Sequence, residues 1–228
     1  MDLKDIELHI FRLPLSLSES KRFEKVYDFW HRSWKDVFKE IGKGDSGLTS
    51  DDLTRQHEIM VMFLKDRPIA MVCHRYVDLS SASVYRDSYF DTAWTEKDKF
   101  QLRRMGGWAC IGNQIVVDPE FRKANCGLKL KHLISFVSLQ AVQRWNVDVV
   151  IGTMRADRGM HSVFYQAGAE TLSQNVPYHG ASVDLVCFRP KLKPIVIPKE
   201  FQDAVTDMLS RAKESSATEP ELKIKRAA

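Results

Sequence analysis

Residues 115–129 read IVVDPEFRKANCGLK, an apolar run that stops at Asp118-Pro119 and passes through a basic, glycine-containing turn. Residues 108–117 upstream are mostly apolar, so the run is predicted to be a buried strand broken at the Asp-Pro pair. From Gly127 the period changes. Leu128, Leu130, Leu133, Ile134, Val137, Ala141 and Val142 recur at three- and four-residue spacings, while Lys129, Lys131 and Gln140 fall on the opposite side, which predicts an amphipathic helix. The turn 122–127 therefore lies at a helix N-terminus. Its first N–H groups have no intrahelical partners and the helix dipole adds positive potential, so a pyrophosphate can dock on backbone. Arg122 and Lys123 add charge to the same spot.

Working outward, residues 147–151 (VDVVI) read as a short buried strand, and residues 160–169 as a helix ending in glycine. On the other side, residues 6–13 alternate as a first strand ending at Pro14. Residues 20–40 form a helix carrying Phe23, Val26, Tyr27, Trp30, Trp34, Val37 and Phe38, closed by Gly42 and Gly44. Residues 58–65 and 69–77 are two strand-like runs around Asp66-Arg67-Pro68, which predicts a hairpin. Residues 79–107 hold Tyr85, Tyr89, Phe90, Trp94 and Phe100 among charges and are long for a plain connection; a partly helical insertion over the substrate is expected. Residues 182–188 form a last strand, followed by a helix over 199–213 and a polar, disordered tail. No internal repeat is visible.

Arg122-Lys123-Ala124-Asn125-Cys126-Gly127 is similar to the Arg/Gln-x-x-Gly-x-Gly/Ala loop with which GNAT-superfamily acyltransferases hold the pyrophosphate of coenzyme A. Asn125 stands at the first glycine; asparagine tolerates left-handed backbone better than most residues with a side chain. Phe164-Tyr165-Gln166-Ala167-Gly168 resembles that family's helix ending Phe-Tyr-x-x-x-Gly, one residue shorter before the glycine. The resemblance covers residues 108–170. It implies an α/β (α+β) fold, with a mixed, mainly antiparallel central sheet flanked by helices and a V-shaped splay at the acyl-CoA site. It also implies one acyltransferase domain over 1–190 with the 79–107 insertion above the acceptor, a C-terminal extension over 191–213 and a tail over 214–228.

The chemistry so implied is direct transfer of an acyl group, acetyl in the first instance, from acyl-CoA to a primary amine in a ternary complex. It needs a held donor, a neutral amine and a proton for the departing thiolate. By the resemblance, Ile115, Val116 and Val117 offer backbone groups to the pantetheine arm. The amides of Arg122, Lys123, Ala124, Asn125, Cys126, Gly127 and Leu128 take the pyrophosphate. Arg158 stands where relatives often have an asparagine facing the pantetheine; it reaches a phosphate or is a solvated helix start. Tyr165 occupies the position of the family's general acid. A phenol is protonated at neutral pH and suits a thiolate; alternatively Tyr165 packs beside Phe164 with its hydroxyl satisfied by a neighbour.

The amine's base is not evident. Many relatives place a glutamate on the strand before the phosphate loop, but residues 108–117 contain no carboxylate. Asn113 and Gln114 can orient a water or a carbonyl without taking a proton. Glu58, His74 and His179 are candidates by chemistry alone: Glu58 as a base or a solvated strand-end charge, His74 as a base or a satisfied core histidine, His179 on a loop, where functional residues concentrate. Cys126 is either a thiol activated by the helix N-terminus or a small packing residue.

At 228 residues, with 44% apolar, the chain can bury a full core. No run is long and apolar enough to span a bilayer, and the charged start MDLKDIELHIFR lacks a signal peptide's apolar stretch, so a cytoplasmic location is expected. Cys73, Cys110, Cys126 and Cys187 are widely spaced without a CxxC pair, which suggests neither a zinc site nor a disulfide framework; no metal is expected. The formal charge of +4 suits a polyphosphate co-substrate or an acidic carrier protein, and no basic stripe interleaved with aromatics points to nucleic acid. The aromatic, Arg-containing stretch 27–34 (YDFWHRSW) also resembles the N-acyl amino acid and acyl-homoserine lactone synthase branch. That branch implies an amino-acid acceptor, long acyl donors or acyl carrier protein, an acyl tunnel lined by the aromatic insertion, and Arg103, Arg104 and Lys129 facing the carrier. A third reading is a binding domain without turnover.

Overall fold

Strand pairing is dominated by runs that are apolar on both faces, such as EIMVMFL at 58–64, which need cover on both sides of a sheet. The computed structural model describes residues 2–15, 19–42, 48–122, 128–178 and 180–215. Within them one sheet contains β1 (Ile6–Arg12), β2 (Glu58–Leu64), β3 (Arg67–Asp78), β4 (Trp108–Val117), β5 (Val149–Arg155), β6 (Glu170–Tyr178), β7 (Ala181–Phe188) and β8 (Lys213–Glu214). Their order is β6-β7-β5-β4-β3-β2-β1-β8. Only β4 with β5 and β1 with β8 run parallel; the other neighbours are antiparallel.

One face of the sheet carries α4 (Leu130–Val142), α5 (Met160–Gln166) and α6 (Lys199–Ser210). Leu133, Ile134, Phe136 and Val137 of α4 pack with Leu8, Met60, Val72, Val150 and Val186, and Phe201 and Val205 of α6 belong to the same cluster. Ten of the helix's residues are buried, so α4 is sandwiched between sheet and α6. On the opposite face, α1 (Ser20–Glu40) seats Val26, Phe29 and Trp30 against Phe11, Ile59, Val61 and Cys73. Each such side chain contributes roughly 1.5–3 kcal/mol on burial.

The rest of that face belongs to residues 79–107. Tyr85, Phe90, Trp94 and Leu102 pack on Ala109, Ile111, Val149, Ile151 and Leu185. Leu102 lies on α3 (Glu96–Met105), whose start is closed by a Thr95–Asp98 capping box, and Arg75 of β3 holds Asp87 through two hydrogen bonds of 2.8 and 2.9 Å. Of the aromatics expected over the substrate, Tyr85, Tyr89, Phe90 and Trp94 are packed in this core, while Phe100 is exposed.

Two boundaries differ from expectation. The last helix stops at Ser210, and Glu214 is in β8 rather than in a tail. Ser215 follows it, its N–H donating to the Ile10 carbonyl and its hydroxyl accepting from the Arg12 N–H. The physical reason is the outer edge of β1, whose backbone groups need partners. β6 was not anticipated: ETLSQNVPY has neither alternation nor apolar length, and it pairs only with β7, through two register shifts.

Candidate active site

The site is set by where two strands stop pairing. β4 meets β5 at Ala109↔Val149, Cys110↔Val150 and Ile111↔Ile151. Beyond those pairs β4 stays with β3 to Val117 and β5 stays with β7 to Arg155. The cause is local. Between Met71↔Val116 and Cys73↔Asn113 the register shifts by one extra residue on β4, and Gln114 has φ +56°, a bulge that bends the strand away from its parallel neighbour. The β5-facing backbone groups of β4 beyond Gly112 are left without a strand partner.

That opening runs into a cleft of about 500 Å³ lined by Trp34, Val37 and Glu40 of α1, by Ile115, Val116 and Val117, by Phe121, Arg122 and residues 128–132, and by Arg155, Arg158 and Met160. Its charge is lopsided: among the described lining residues Arg122, Lys129, Lys131, Arg155 and Arg158 meet a single carboxylate, Glu40, and Arg155 is held as well by Asp157 just outside the lining. Glu40 pairs with both Arg155, at 3.3 Å, and Arg158, and the bond from Arg158 holds its carboxyl below the usual range. Arg122 Nε donates to the Val117 carbonyl at 2.8 Å, fixing its guanidinium beside the end of β4. The N-cap of α4, Lys129, supplies no side-chain cap. Lys131 Nζ instead donates to the carbonyls of Arg158 and Gly159, and burial lowers its pKa.

Of the residues predicted for donor binding, Ile115, Val116, Val117, Arg122, Leu128 and Arg158 all line this one cleft. Lys123, Ala124, Asn125, Cys126 and Gly127 lie outside the described residues, as does His179. Trp34, Glu40, Lys131 and Arg155 were not singled out from sequence. A basic residue at the end of an apolar strand, as in Met154-Arg155, was the one available signal for Arg155.

Of the described residues predicted for proton transfer, none lines the cleft, and Glu58 and His74 meet each other away from it. Tyr165 does not line the cleft; its hydroxyl donates to Asp184 Oδ2 at 2.7 Å and accepts from Thr171 at 3.1 Å. Burial and the Asp184 carboxylate both raise its pKa. Glu58 is neither in the cleft nor solvated: it is 4% exposed, 3.3 Å from His74 Nδ1 and 3.6 Å from Arg12 Nε. Burial is the largest influence and pushes its carboxyl up, but the His74 bond together with the attraction of His74, Arg12 and Arg144 leaves it below the ordinary value. A solvated strand-end charge was the expectation because the position is the strand's first; the cross-strand pair Glu58↔His74 puts it under α4 instead. His74 Nε2 lies 2.6 Å from Ser138 Oγ. With Nδ1–H donating to the carboxylate, the neutral ring accepts from the serine. His74 is a satisfied core histidine, 1% exposed.

Polar groups do meet on the α1 side of the splay. Trp30 Nε1 donates to Gln114 Oε1 at 2.8 Å. Asn113 Nδ2 donates to Gln56 Oε1 and to the Ile111 carbonyl, which fixes the amide's orientation. Asn113 Oδ1 is buried without a partner, a costly state for a polar atom unless something else donates to it.

Known structures share this architecture. A CoA-dependent acyl-homoserine lactone synthase, BjaI, superposes with a TM-score of 0.58 at 12% identity over 93% of this chain and 94% of that one. The acyl-homoserine lactone synthase LasI gives 0.53 at 8% over 85% and 98%. A mosquito arylalkylamine N-acetyltransferase gives 0.52 at 14% over 81% and 99%. The chain has the GNAT fold. Sequence comparison adds nothing to this: no family model matches, and no curated protein matches either. In this chain the parting of β4 from β5 opens directly into the basic cleft. Among the described residues no group of His, Cys, Asp and Glu is arranged to hold a metal ion, and no helix is long and apolar enough to cross a membrane.

Proposed function

We propose that the protein is an N-acyltransferase that moves an acyl group from acyl-CoA to a primary amine by direct attack in a ternary complex. One observation carries this reading: the unpaired edge of β4 leads without interruption into a cleft where five cations face one carboxylate. A pantetheine arm is rich in amides and needs donors and acceptors in a row; a pyrophosphate needs cations and free N–H groups. The cleft supplies the row from Ile115, Val116 and Val117, and the charge from Arg122, Lys129, Arg155 and Arg158. Lys123 to Gly127, between Arg122 and the cleft-lining Leu128, complete the anion site by resemblance.

The acceptor approaches from the α1 side, between α1 and the 79–107 segment. There the orphaned Asn113 Oδ1 accepts an N–H of the attacking amine and holds its lone pair toward the thioester. Tyr165 serves as general acid only if its hydroxyl leaves Asp184, and Glu58 serves as base only through His74 and Ser138. Neither is engaged in the cleft as it stands. Calorimetric titration with acetyl-CoA, CoA and dephospho-CoA, followed by an amine screen for thiol release, tests the proposal. Binding of acetyl-CoA with turnover of any amine supports it. Binding without turnover against small amines and amino acids favours the non-catalytic reading, and no binding of any CoA species refutes the donor site.

Acyl carrier protein is the alternative donor, and Lys129 at the cleft is the cation that would face an acidic carrier. The aromatic tunnel expected of that branch finds no support: no residue of 79–107 lines the cleft, and four of its rings are packed as core.

A further inference from the structure

The cleft and a second, smaller space share one wall, Ile115. That space is a separate enclosed void of about 10 Å³ on the α4 side of the sheet, among Gly112, Ser138, Val150, Gly152 and Met154. It lies where β4 and β5 part, since Ile111↔Ile151 is their last pair. Its volume suffices for about one water-sized group. Two glycines make it possible, one on each strand, and the second is occupied from the side. A Cβ placed on Gly152 would stand 2.1 Å from the Met154 terminal methyl, so the methionine folds back along its own strand into the space a side chain would take. Met154 is 4% exposed and packs within the α4-side core. Methionine is unbranched and fills irregular gaps with little rotamer constraint. The only other polar wall is the His74–Ser138 pair, already satisfied.

We infer that this void is the terminus of the acyl pocket and that Met154, seated on Gly152, is the stop that restricts the donor to short acyl groups. The inference rests on the acyl-CoA reading above. An acetyl methyl fits the void as it stands; each further methylene must displace the methionine's end. The residue thus sets donor chain length without touching the phosphates, the thioester or the amine.

The test is the affinity of the whole protein for a ladder of acetyl-, butanoyl-, hexanoyl- and octanoyl-CoA, with free CoA as reference. The wild type is expected to bind hexanoyl-CoA no better than acetyl-CoA. Met154→Ala is expected to gain about fourfold per added methylene, the equivalent of ~0.8 kcal/mol for burying each one, until the opened space is filled, while free CoA binds as before. Gly152→Ala drives the methionine's methyl into the void and is expected to weaken acetyl-CoA relative to free CoA at least tenfold. Met154→Leu, close in volume, keeps the wild-type order. An unchanged ladder in Met154→Ala with CoA binding intact overturns the stop and leaves the acyl-CoA reading standing. A wild type that binds no CoA species overturns both. If Met154→Ala does not melt cooperatively, Gly152→Ala decides alone: equal binding of acetyl-CoA and free CoA relative to wild type refutes the stop.

Discussion

Two polar clusters flank the same sheet and could hardly be more different in how their charges are settled. Under α4, Glu58, His74 and Ser138 are each 4% exposed or less, and each ring nitrogen of His74 has a partner. In the cleft, five cations, Arg122, Lys129, Lys131, Arg155 and Arg158, meet one carboxylate of the described lining, Glu40, which pairs with Arg155 and Arg158, while Asp157 also holds Arg155. A closed network has nothing left to offer a ligand, and its removal is felt as lost stability. A cluster with uncompensated charge is less favourable for the empty protein and is stabilised by an anion. The contrast teaches that titratable residues brought together by the fold are not thereby a catalytic site; what matters is whether their bonding capacity is already spent.

The strongest way to break this comparison is at Glu58. Glu58→Ala leaves His74 and Arg12 without their buried partner and is expected to cost about 3–5 kcal/mol, as for other broken buried pairs, read by urea denaturation. The pH dependence has a defined sign. Glu58 is held below its ordinary value of 4.5, so its contribution is full above that pH and is lost as pH falls through the lower folded value. Glu58→Gln should therefore flatten the acid limb of stability below about pH 4.5. If Glu58→Gln abolished turnover while stability at pH 7 stayed level, the cluster would be catalytic after all.

The cleft is broken from the opposite direction. Arg155→Gln with Arg158→Gln is expected to weaken acetyl-CoA and CoA alike by about 10²-fold, two charge-assisted contacts at roughly 1.5 kcal/mol each. The salt dependence of binding should become shallower, and thermal stability should change little, because the carboxylates they lean on, Glu40 for both and Asp157 for Arg155, are partly exposed. Equal affinity in wild type and double variant would remove the arginines from the anion site.

This difference was only half legible in the sequence. The strand before Asp118-Pro119, the change of period after Gly127 and the aromatic stripe of 20–40 announced β4, α4 and α1, because apolar side chains that pack within one layer recur at a spacing the local sequence shows. Arg122, Leu128 and Arg158, which line one cleft, were reached through the family resemblance and not through periodicity. Periodicity failed where the partner is distant in the chain. Glu58 looks like an open strand start until β3 sets His74 across from it and α4 brings Ser138, 64 residues further on. Arg155 and Glu40 are 115 residues apart, and no local pattern links them. The 79–107 segment read as a cover for substrate because its aromatics are mixed with charges; four of its rings pack inward while Phe100 is exposed, and Asp98 is buried in a capping box with Thr95.

Tyr165 sharpens the comparison at a smaller scale. Its hydroxyl belongs by bonding to the closed kind: Asp184, 4% exposed, also accepts the Asn175 N–H at 2.9 Å. Tyr165→Phe removes one of those donors and is expected to cost about 1–3 kcal/mol of stability, with kcat falling less than tenfold. A fall of 10²-fold or more at unchanged stability would identify the hydroxyl as the thiolate's proton source and require that it swing away from Asp184 during turnover.

The smallest effect tests the bulge that makes the cleft possible. Gln114 holds φ +56°, a left-handed conformation that glycine adopts freely and other residues at a cost of roughly 1–2 kcal/mol, and it accepts the Trp30 N–H. Gln114→Ala loses the bond and keeps the strain, so it should be destabilised by about 1 kcal/mol. Gln114→Gly loses the same bond and the strain, so it should come out near the wild type and about 1 kcal/mol above the alanine variant. Equal stability of the two variants would mean that the bulge relaxes without its glutamine, and then the parting of β4 from β5 is held by the strands' other partners, β3 and β7, alone. In that case acetyl-CoA affinity should survive both substitutions. If instead the bulge is what keeps the edge of β4 open, Gln114→Ala retains the affinity, its φ still fixed by register, and Gln114→Gly loses part of it despite being the more stable protein.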